Sequence, residues 1–284
     1  MYDAVAASDN GEFAQKMQRV RGTARIRFAN TSGKPRLADL YQSGSAKVRL
    51  PKVYDQPPTA VLINTAGGLT GGDQLNYEVT ADEAAHVVVT SQTAERAYKS
   101  SSGTARVTGS FTVKSGATLE WLPQETILFD TSRLQRTICA ELVSDARLLM
   151  LEALVLGRKA MGEKVQSLAF RDSWRIRRDG KLVFADDIRL DGDPDRFFKG
   201  PATADGSLAV ATLVDCAVDA EDRLSLARTC LDGLRTEETH AAASAWNGLL
   251  TARIVSQDGR RLRDTLMKFL TGYRVSDLPR VWYC

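Results

Sequence analysis

The stretch VRGTARIRF, from Val20 to Phe28, decides the class of fold. Small or apolar residues stand at every second position of this stretch, and arginine or threonine occupies the positions between them. A β-strand with one buried face and one solvent face requires this alternation. The stretch therefore predicts a half-buried strand near the start of the chain.

Similar short apolar runs continue along the chain after this first one. They are TAVLINT, HVVVTSQ, ARVTGSFTV, ATLEWL, RTICAEL, RLLMLEALVL and GKLVFADDIRL. Gly, Asp, Ser and Pro separate them at spacings typical of many-stranded β architectures, so we expect a mainly β fold. No repeat with fixed residues is visible, and periodicity therefore leaves a sandwich, a barrel and a solenoid open.

The pattern changes after the segment DPDRFFKGPATADG, which predicts a loop or a short irregular helical excursion. Beyond it, LAVATLVDC and TARIVSQ predict strands. Amphipathic spacing predicts a helix capped by Asp219 and a second helix that follows a turn at Gly259. We therefore predict an N-terminal extension at residues 1–19 and a single domain at residues 20–284. Within the domain, a strand-rich body (about 20–192) is followed by a loop or irregular excursion (about 193–206) and an α+β part (about 207–284).

Composition narrows the classes of function. The formal net charge of the 284 residues is only +3, and basic residues are interspersed with acidic ones, so we expect no nucleic-acid surface. The start of the chain lacks the features of a secretory signal, and no apolar run reaches the ~20 residues that span a bilayer, which predicts a cytoplasmic protein without membrane contact. The four cysteines are scattered, and His86 and His240 stand alone, so a structural zinc site is not expected.

The most unusual segment is NTAGGLTGGDQL, from Asn64 to Leu75. Its glycines Gly67, Gly68, Gly71 and Gly72 permit positive φ angles and a close approach of backbone, as in a tight turn or a bulge. A phosphate loop would need lysine where Asp73 stands. Asp73 beside small residues suits contact with a hard cation or with water, or a partner surface.

Three further segments place charged residues beside apolar runs. TSQTAERAYKS contains Glu95 and Arg96, and LEWLPQETILFD contains Glu125 and Asp130. EALVLGRKAMGE contains Glu152, Arg158 and Glu163. Taken singly, each of these acids is more often a solvated surface charge than a ligand.

Enzymatic alternatives have little support in the sequence. Neither histidine lies in a recognisable nucleophile context. Paired carboxylates at strand ends of a β protein remain compatible with a carbohydrate-active enzyme, and this is the alternative function.

Taken together and in this order, NTAGGLTGGDQL, TSQTAERAYKS, LPQETILFD and LGRKAMGE resemble the hallmark stretches of the UreD (UreH) family of urease accessory proteins. The closing LPRVW is also similar to the usual end of that family. The resemblance runs from about Val20 to Trp282. It implies a β-helix-like body of stacked strands with small helical additions.

The resemblance also implies a function. Members of this family act as non-catalytic scaffolds that join apo-urease to UreF and, through it, to the GTPase UreG. Nickel would pass in transit, with no tightly bound cofactor. The residues of this chain that would supply oxygen ligands along such a passage are Asp73, Glu125, Asp130, Glu152 and Glu163. Carboxylates hold Ni²⁺ less tightly than imidazole or thiolate ligands, which suits an ion that must leave again.

Overall fold

The computed structural model describes residues 19–54, 56–158 and 162–284. Within these residues the chain is mainly β-strand, with small helices toward the C-terminus. The strands are β1 Arg21–Thr31, β2 Lys34–Gly44, β3 Ala46–Arg49, β4 Thr59–Asn64, β5 Gln74–Ala81, β6 His86–Ser91, β7 Glu95–Ala97, β8 Ala105–Val113, β9 Thr118–Leu122, β10 Thr126–Leu128, β11 Arg133–Leu142, β12 Arg147–Leu156, β13 Leu168–Arg178, β14 Lys181–Gly192, β15 Ala209–Asp215, β16 Thr239–Trp246 and β17 Leu249–Ser256. The helices are α1 Asp195–Phe198, α2 Leu224–Asp232 and α3 Gly259–Arg274, and 3₁₀ turns span Glu221–Arg223 and Arg280–Tyr283. All of the predicted N-terminal extension except residue 19 lies outside the described residues.

The strands form two sheets that face each other across an apolar interior. Sheet A has the order β14-β13-β11-β8-β5-β1-β2, and sheet B has the order β16-β17-β15-β12-β9-β6-β4-β3, with β10 paired to β12 and to β7. From β4 to β13 the chain passes from one sheet to the other and back, and each circuit adds a parallel strand to each sheet. The body is therefore a coil of stacked strands. This arrangement confirms the β-helix-like fold that the resemblance implies. Of the sandwich, the barrel and the solenoid that periodicity left open, the structure is solenoid-like.

The alternating pattern of β1 follows from the position of sheet A at the surface. Ala24, Ile26 and Phe28 point into the interior and are each 1% exposed, whereas Arg25 and Arg27 lie on the outer face. Sheet B is covered on both faces, so β12 is buried at nearly every position. The stretch RLLMLEALVL is a continuous apolar run for this reason.

Two apolar layers stabilise this arrangement. The layer between the sheets contains Phe111 and Trp121, whose ring centroids lie 4.5 Å apart. The second layer packs the outer face of sheet B against α2 and α3, and it includes Phe269 and Tyr273, both fully buried. Burial of each such side chain contributes roughly 2 kcal/mol, so the helices are held firmly on sheet B.

The C-terminal part is α+β, with local differences from the sequence prediction. Strands β15 and β17 match the predicted ones, whereas β16 is a strand that the pattern did not indicate. The predicted cap of α2 is wrong: Asp219 precedes a 3₁₀ turn, and it forms an ion pair with Arg147 at 3.6 Å. Asp258 is the N-cap of α3 and accepts two backbone N–H groups of the first turn, so Gly259 begins the helix and does not turn the chain.

The predicted loop or helical excursion at 193–206 contains the single-turn helix α1 followed by further turns. The division of the chain into one domain with an N-terminal extension stays a prediction. None of the helices in the described ranges combines the length and the apolar character needed to cross a bilayer.

Candidate functional site

The four sequence segments that contain the unusual motifs become neighbours in space. Leu69 forms a parallel bridge with Ala97, Ala97 lies opposite Leu128, and Leu128 lies opposite Leu156. All four side chains point inward and are buried. The segments are thus successive rungs at one edge of the coil, and we call residues 67–70, 95–99, 126–130 and 154–158 the motif rungs.

Close approach of backbone explains two of the glycines in the first rung. A Cβ on Gly68 would lie 2.2 Å from the ring of Tyr98, and Gly68 has a φ of 156°. A Cβ on Gly71 would lie 2.0 Å from Ser100 Oγ and 2.2 Å from Ser102 O. Neither position has room for a side chain, because the neighbouring rung lies against it.

The other two glycines of this segment have left-handed backbone, with φ of 75° at Gly67 and 91° at Gly72. The carbonyl of Gly67 accepts hydrogen bonds from Tyr98 Oη at 3.3 Å and from Arg96 Nη1 at 3.4 Å. The glycines and Arg96 therefore join two rungs. A role for them in contacting a partner stays a prediction.

Asp73 is a buried carboxylate, 2% exposed. Its Oδ1 accepts the backbone N–H of Val20 at 2.8 Å, and its Oδ2 accepts that of Thr70 at 2.8 Å. The carboxylate thus closes the turn around Gly71 and Gly72 and ties it to the segment that enters β1. These contacts support a role in holding the turn.

Asp130 and Glu163 are brought together by the structure. Asp130 Oδ1 accepts the backbone N–H groups of Gln166 and Ser167 at 2.7 and 3.0 Å, and the backbone N–H of Asp130 donates to Glu163 Oε1 at 3.3 Å. Glu163 Oε2 accepts Arg158 Nε at 2.9 Å. Residues 159–161 of the same motif lie outside the described residues.

Arg158 also stacks on a rung residue. Its guanidinium lies 4.5 Å from the ring centroid of Phe129, and Phe129 in turn meets Tyr98 edge-on at 5.1 Å. Arg158 therefore covers the buried ring of Phe129, and Tyr98 beside it is exposed.

Glu125 lies in the short segment between β9 and β10. Its Oε2 accepts Arg263 Nη1 of α3 at 3.2 Å, and the same nitrogen donates to Gln124 Oε1 at 2.7 Å. Gln124 Nε2 donates to the carbonyls of Gln92 at 3.0 Å and Val281 at 3.1 Å. The loop that carries Glu125 is thus held by α3 and by the C-terminal segment LPRVW.

A cavity of about 240 Å³ lies between the two sheets, behind the motif rungs. Its walls are mostly apolar side chains of β5, β8, β9 and β11, and Gly109 widens it because no side chain projects there. Residues 91–96 and 123–124 form part of its lining; they span the end of β6, the loop after it and the start of β7, and the loop after β9. The polar side chains facing it include Asn64, Glu95, Thr126, Arg136 and Glu152.

Glu95 is a half-buried carboxylate on this lining. Its oxygens accept Asn64 Nδ2 at 3.2 and 3.3 Å, and Oε1 also accepts the backbone N–H of Arg96 at 3.0 Å. Burial raises the pKa of Glu95, and these hydrogen bonds oppose the shift. Thr126 lies opposite Glu95 in the next rung.

Deeper in the body, one guanidinium holds two buried carboxylates, and we call Arg136, Glu152 and Asp172 the buried triad. Arg136 Nε and Nη2 donate to Asp172 at 2.9 and 2.6 Å, and Nη1 donates to Glu152 Oε2. Glu152 Oε1 accepts Trp121 Nε1 at 2.8 Å. Burial and the nearby charge of Asp172 raise the pKa of Glu152 to about 7, although the charge of Arg136 opposes the shift.

Arg136 and Asp172 are site residues that the sequence reasoning missed, although a signal was present. Arg136 alternates with Leu134 and Ile138 in β11, and Asp172 alternates with Phe170 and Trp174 in β13. A charged residue at an inward position of a strand must find a partner in the interior. The same alternation that identified the core could therefore have identified both residues.

The buried triad contains two adjacent carboxylates, but both are bonded to Arg136. Glycoside chemistry needs two carboxyl groups that flank an open site, so this arrangement does not favour the carbohydrate-active alternative. Within the described residues, no three His, Cys, Asp or Glu side chains are grouped so that they could hold a metal ion. Of the five proposed ligands, only Asp130 and Glu163 lie in contact with each other among the described residues.

A second cavity, of about 530 Å³, lies on the outer face of sheet B below the end of α3. Glu120 accepts a hydrogen bond there from Arg274 Nε and meets His86 Nε2 at 2.8 Å. Burial alone would raise the pKa of Glu120, but the hydrogen bond with His86 and the charge of Arg274 hold it below its usual value. His86 is thus hydrogen-bonded to Glu120, and His240 is exposed.

Known proteins are similar to this chain over most of its length. The model of the UreD urease accessory protein family matches residues 20–283. The urease accessory protein UreD of Azorhizobium caulinodans is 41% identical over 269 residues, which cover 95% of this chain and 98% of that protein. The protein of the same name from a Jannaschia species is 46% identical over 265 residues, covering 93% of this chain and 96% of the relative.

Proposed function

This chain belongs to the UreD family of urease accessory proteins, and we propose that it is a non-catalytic maturation factor that bridges apo-urease to the UreF–UreG complex and assists nickel insertion. Membership of the family supports a role in urease maturation. We assign GTP hydrolysis to UreG, because Asp73 stands where a phosphate loop has its lysine. We place the protein in the cytoplasm, with nickel as cargo and no tightly bound cofactor.

The observation that supports nickel transit best is the cavity behind the motif rungs, with Glu152 on its wall. A carboxylate that burial keeps near the midpoint of its titration can lose its proton when a cation approaches. Oxygen ligands of this kind bind Ni²⁺ weakly enough to release it. An interior cavity with carboxylates on its lining is thus suited to a cation that passes through.

The polar groups of the cavity form a connected series. Asn64 donates to Glu95, Thr126 lies opposite Glu95, and Arg136 Nη1 reaches both Thr126 Oγ1 at 3.3 Å and Glu152. We propose that a cation moves from Glu95 to Glu152 along this series. Its passage requires the guanidinium of Arg136 to stay on Asp172.

The remaining proposed ligands have separate places in this scheme. Glu125, Asp130 and Glu163 lie on the loops around the motif rungs, where we propose contact with the ion outside the cavity. Both oxygens of Asp73 are occupied by backbone N–H groups. We therefore propose that Asp73 acts by keeping the glycine-rich turn in shape.

The test is maturation of urease in cells that express the urease subunits and accessory proteins with Glu95→Gln or Glu152→Gln in this chain. Nickel should be limiting, so that a slowed step is not masked. Each variant should still co-purify with the partners but should lower the nickel content and activity of urease. Glu141→Gln is the control, because Glu141 is exposed on the outer face of β11 and forms no ion pair among the described residues.

Normal nickel loading by well-folded Glu95→Gln and Glu152→Gln variants would contradict the proposed passage. Loss of the partners from the purified complex would instead assign these residues to assembly. Recovery of soluble chain is measured in parallel, because Glu152 is buried and its replacement also affects stability.

A further inference from the structure

The outer face of sheet A carries a transverse row of six long polar side chains. Strand register places them directly opposite one another, from β1 through β5, β8, β11 and β13 to β14. They are Arg21, Gln74, Arg106, Gln135, Arg171 and Arg189. We call them the basic row.

The arginines of the basic row are exposed and largely unpaired. In the described part of the chain, the side chains of Arg21, Arg106 and Arg171 make neither a hydrogen bond nor an ion pair. Arg189 reaches only Asp191, at 3.7 Å, and both of these side chains are exposed. Arg171 stands directly opposite Arg189, and like charges opposite each other destabilise a sheet. The row therefore costs stability in the isolated chain.

Three other arginines on this face have acidic partners. Arg25 pairs with Glu78 at 2.8 Å, and Arg27 pairs with Asp82 at 2.8 Å. Arg175 pairs with Asp187 at 2.7 Å in the antiparallel hairpin. In the basic row, by contrast, strand register aligns arginines without such partners across the sheet.

The basic row lies at the same end of the coil as the motif rungs. Strands β5, β8, β11 and β13 each begin within a few residues of a motif segment, and the row crosses each of them close to its first residue. A partner on the basic row would therefore also stand beside the rungs and the loops that carry Asp130 and Glu163.

The spacing of the row sets the chemistry of such a partner. Neighbouring strands are about 4.8 Å apart, so Arg21, Arg106 and Arg171, at every second strand, repeat about every 10 Å. Residues i and i+7 of an α-helix are separated by about 10.5 Å along its axis. A helix with carboxylates at this interval would place one acid on each arginine.

We infer that the basic row is a docking surface for a protein partner that presents a row of carboxylates on an α-helix. The partner would supply the negative charge that the basic row lacks. The inference goes beyond the proposed passage of nickel, because no carboxylate of the cavity takes part.

A nucleic acid fits the same surface less well. The basic row contains no aromatic side chain on which a base could stack. Further along the strands the same face presents Asp187 and Glu78, which would repel phosphates on that side of the row.

The test uses the full chain with a tag, co-expressed with the urease subunits and the other accessory proteins. The variant is Arg106→Glu with Arg171→Glu. The matched control is Lys34→Glu with Arg36→Glu, which makes the same change in charge on the exposed edge strand β2 of the same sheet. The basic-row variant should lower recovery of at least one of these proteins by roughly tenfold or more, since reversal converts attraction into repulsion.

Full recovery of every partner by the basic-row variant would overturn the inference. An equal loss of partners from the control would also overturn it, because the change in net charge alone would then explain the loss. Circular dichroism and thermal unfolding check the fold, and Arg106→Gln with Arg171→Gln replaces the variant if reversal prevents folding. The complex should also dissociate more readily as salt is raised.

A second measurement separates this inference from the proposed function. If the unaltered chain co-purified with none of the proteins, the proposed bridging would fail. The basic row would then be judged by binding of the purified chain to a labelled helical peptide with glutamates at i, i+7 and i+14, compared with a duplex DNA probe. The inference is supported if the unaltered chain and the control bind the peptide and the basic-row variant does not. It is overturned if the unaltered chain does not bind the peptide, or if it binds DNA more tightly than the peptide and the basic-row variant loses that DNA binding.

Discussion

Replacing Arg136 with methionine should destabilise this protein strongly and should do so more at pH 8 than at pH 5. Arg136 is the cation of the buried triad, and its side chain is 5% exposed. Methionine has a similar reach without the charge, so the substitution removes the ion pairs more than the packing. Glu152 and Asp172 would then face each other in the interior without a cation.

The magnitude follows from the burial of these two carboxylates, which are 5% and 3% exposed. Removing one partner of a buried ion pair typically costs about 3–5 kcal/mol. A domain has about 5–15 kcal/mol of stability in total, so the loss would be a large share of it. Asp172 would lose both of its hydrogen bonds with Arg136, whereas Glu152 would keep the bond from Trp121.

The pH dependence follows from the same change. Without the guanidinium, burial disfavours the charged form of both carboxyl groups, so a proton is bound more readily in the folded chain than in the unfolded one. The folded state then binds more protons than the unfolded state, and its stability falls as the pH rises. The variant should therefore recover part of its stability at pH 5.

Urea unfolding followed by tryptophan fluorescence measures the effect at both pH values. Arg171→Met is the control, since Arg171 is the neighbour of Asp172 on the outer face and its replacement should change stability by no more than about 0.5 kcal/mol. The triple variant Arg136→Met, Glu152→Gln and Asp172→Asn should regain much of the loss and lose the pH difference. A loss below about 1 kcal/mol for Arg136→Met, or an equal loss at both pH values, would refute the reasoning.

Two further predictions concern single carboxylates. The folded pKa of Glu152 is about 7 against an ordinary 4.5, so its stabilising contribution is fully present below pH 4.5 and is lost as the pH rises through 7. In the unaltered protein the free energy of unfolding should therefore fall between pH 4.5 and pH 7. Glu152→Gln should make this fall smaller by on the order of 3 kcal/mol, as measured by urea unfolding. Asp73→Ala should cost roughly 2 kcal/mol or more in the same assay, because the N–H groups of Val20 and Thr70 lose their acceptor. Exposed Asp191→Ala is the control, and equal stability of the two alanine variants would contradict a structural role for Asp73.

Much of the fold could be predicted because strand alternation is a local property. Ala24, Ile26 and Phe28 fill one face of β1 as the pattern requires. Errors occurred where local signals compete. Asp219 looked like a helix cap, but the chain forms a 3₁₀ turn before α2, and Arg147 of a distant strand takes its carboxylate.

The candidate site was predictable only in part. Its motif segments were recognisable because glycine, proline and acidic residues interrupt apolar runs there. Their stacking was not recognisable, since pairing of Leu69, Ala97, Leu128 and Leu156 depends on the number of residues in each circuit of the coil. The sequence did not identify the hydrogen-bond partners of each carboxylate for the same reason. From the sequence alone, Asp73 therefore resembled a residue of an open turn.

The sequence by itself determined that the protein is strand-rich, that its C-terminal part adds helices, and that its motifs resemble one family. These conclusions rest on residue type and spacing along the chain, which local backbone geometry converts into strands and turns. Only the tertiary structure decided which charges meet. Arg136 is 36 residues from Asp172, and Arg21, Arg106 and Arg171 of the basic row come from three strands far apart in sequence. Strand register brings such residues together, and register is set by packing of the whole coil rather than by any one segment.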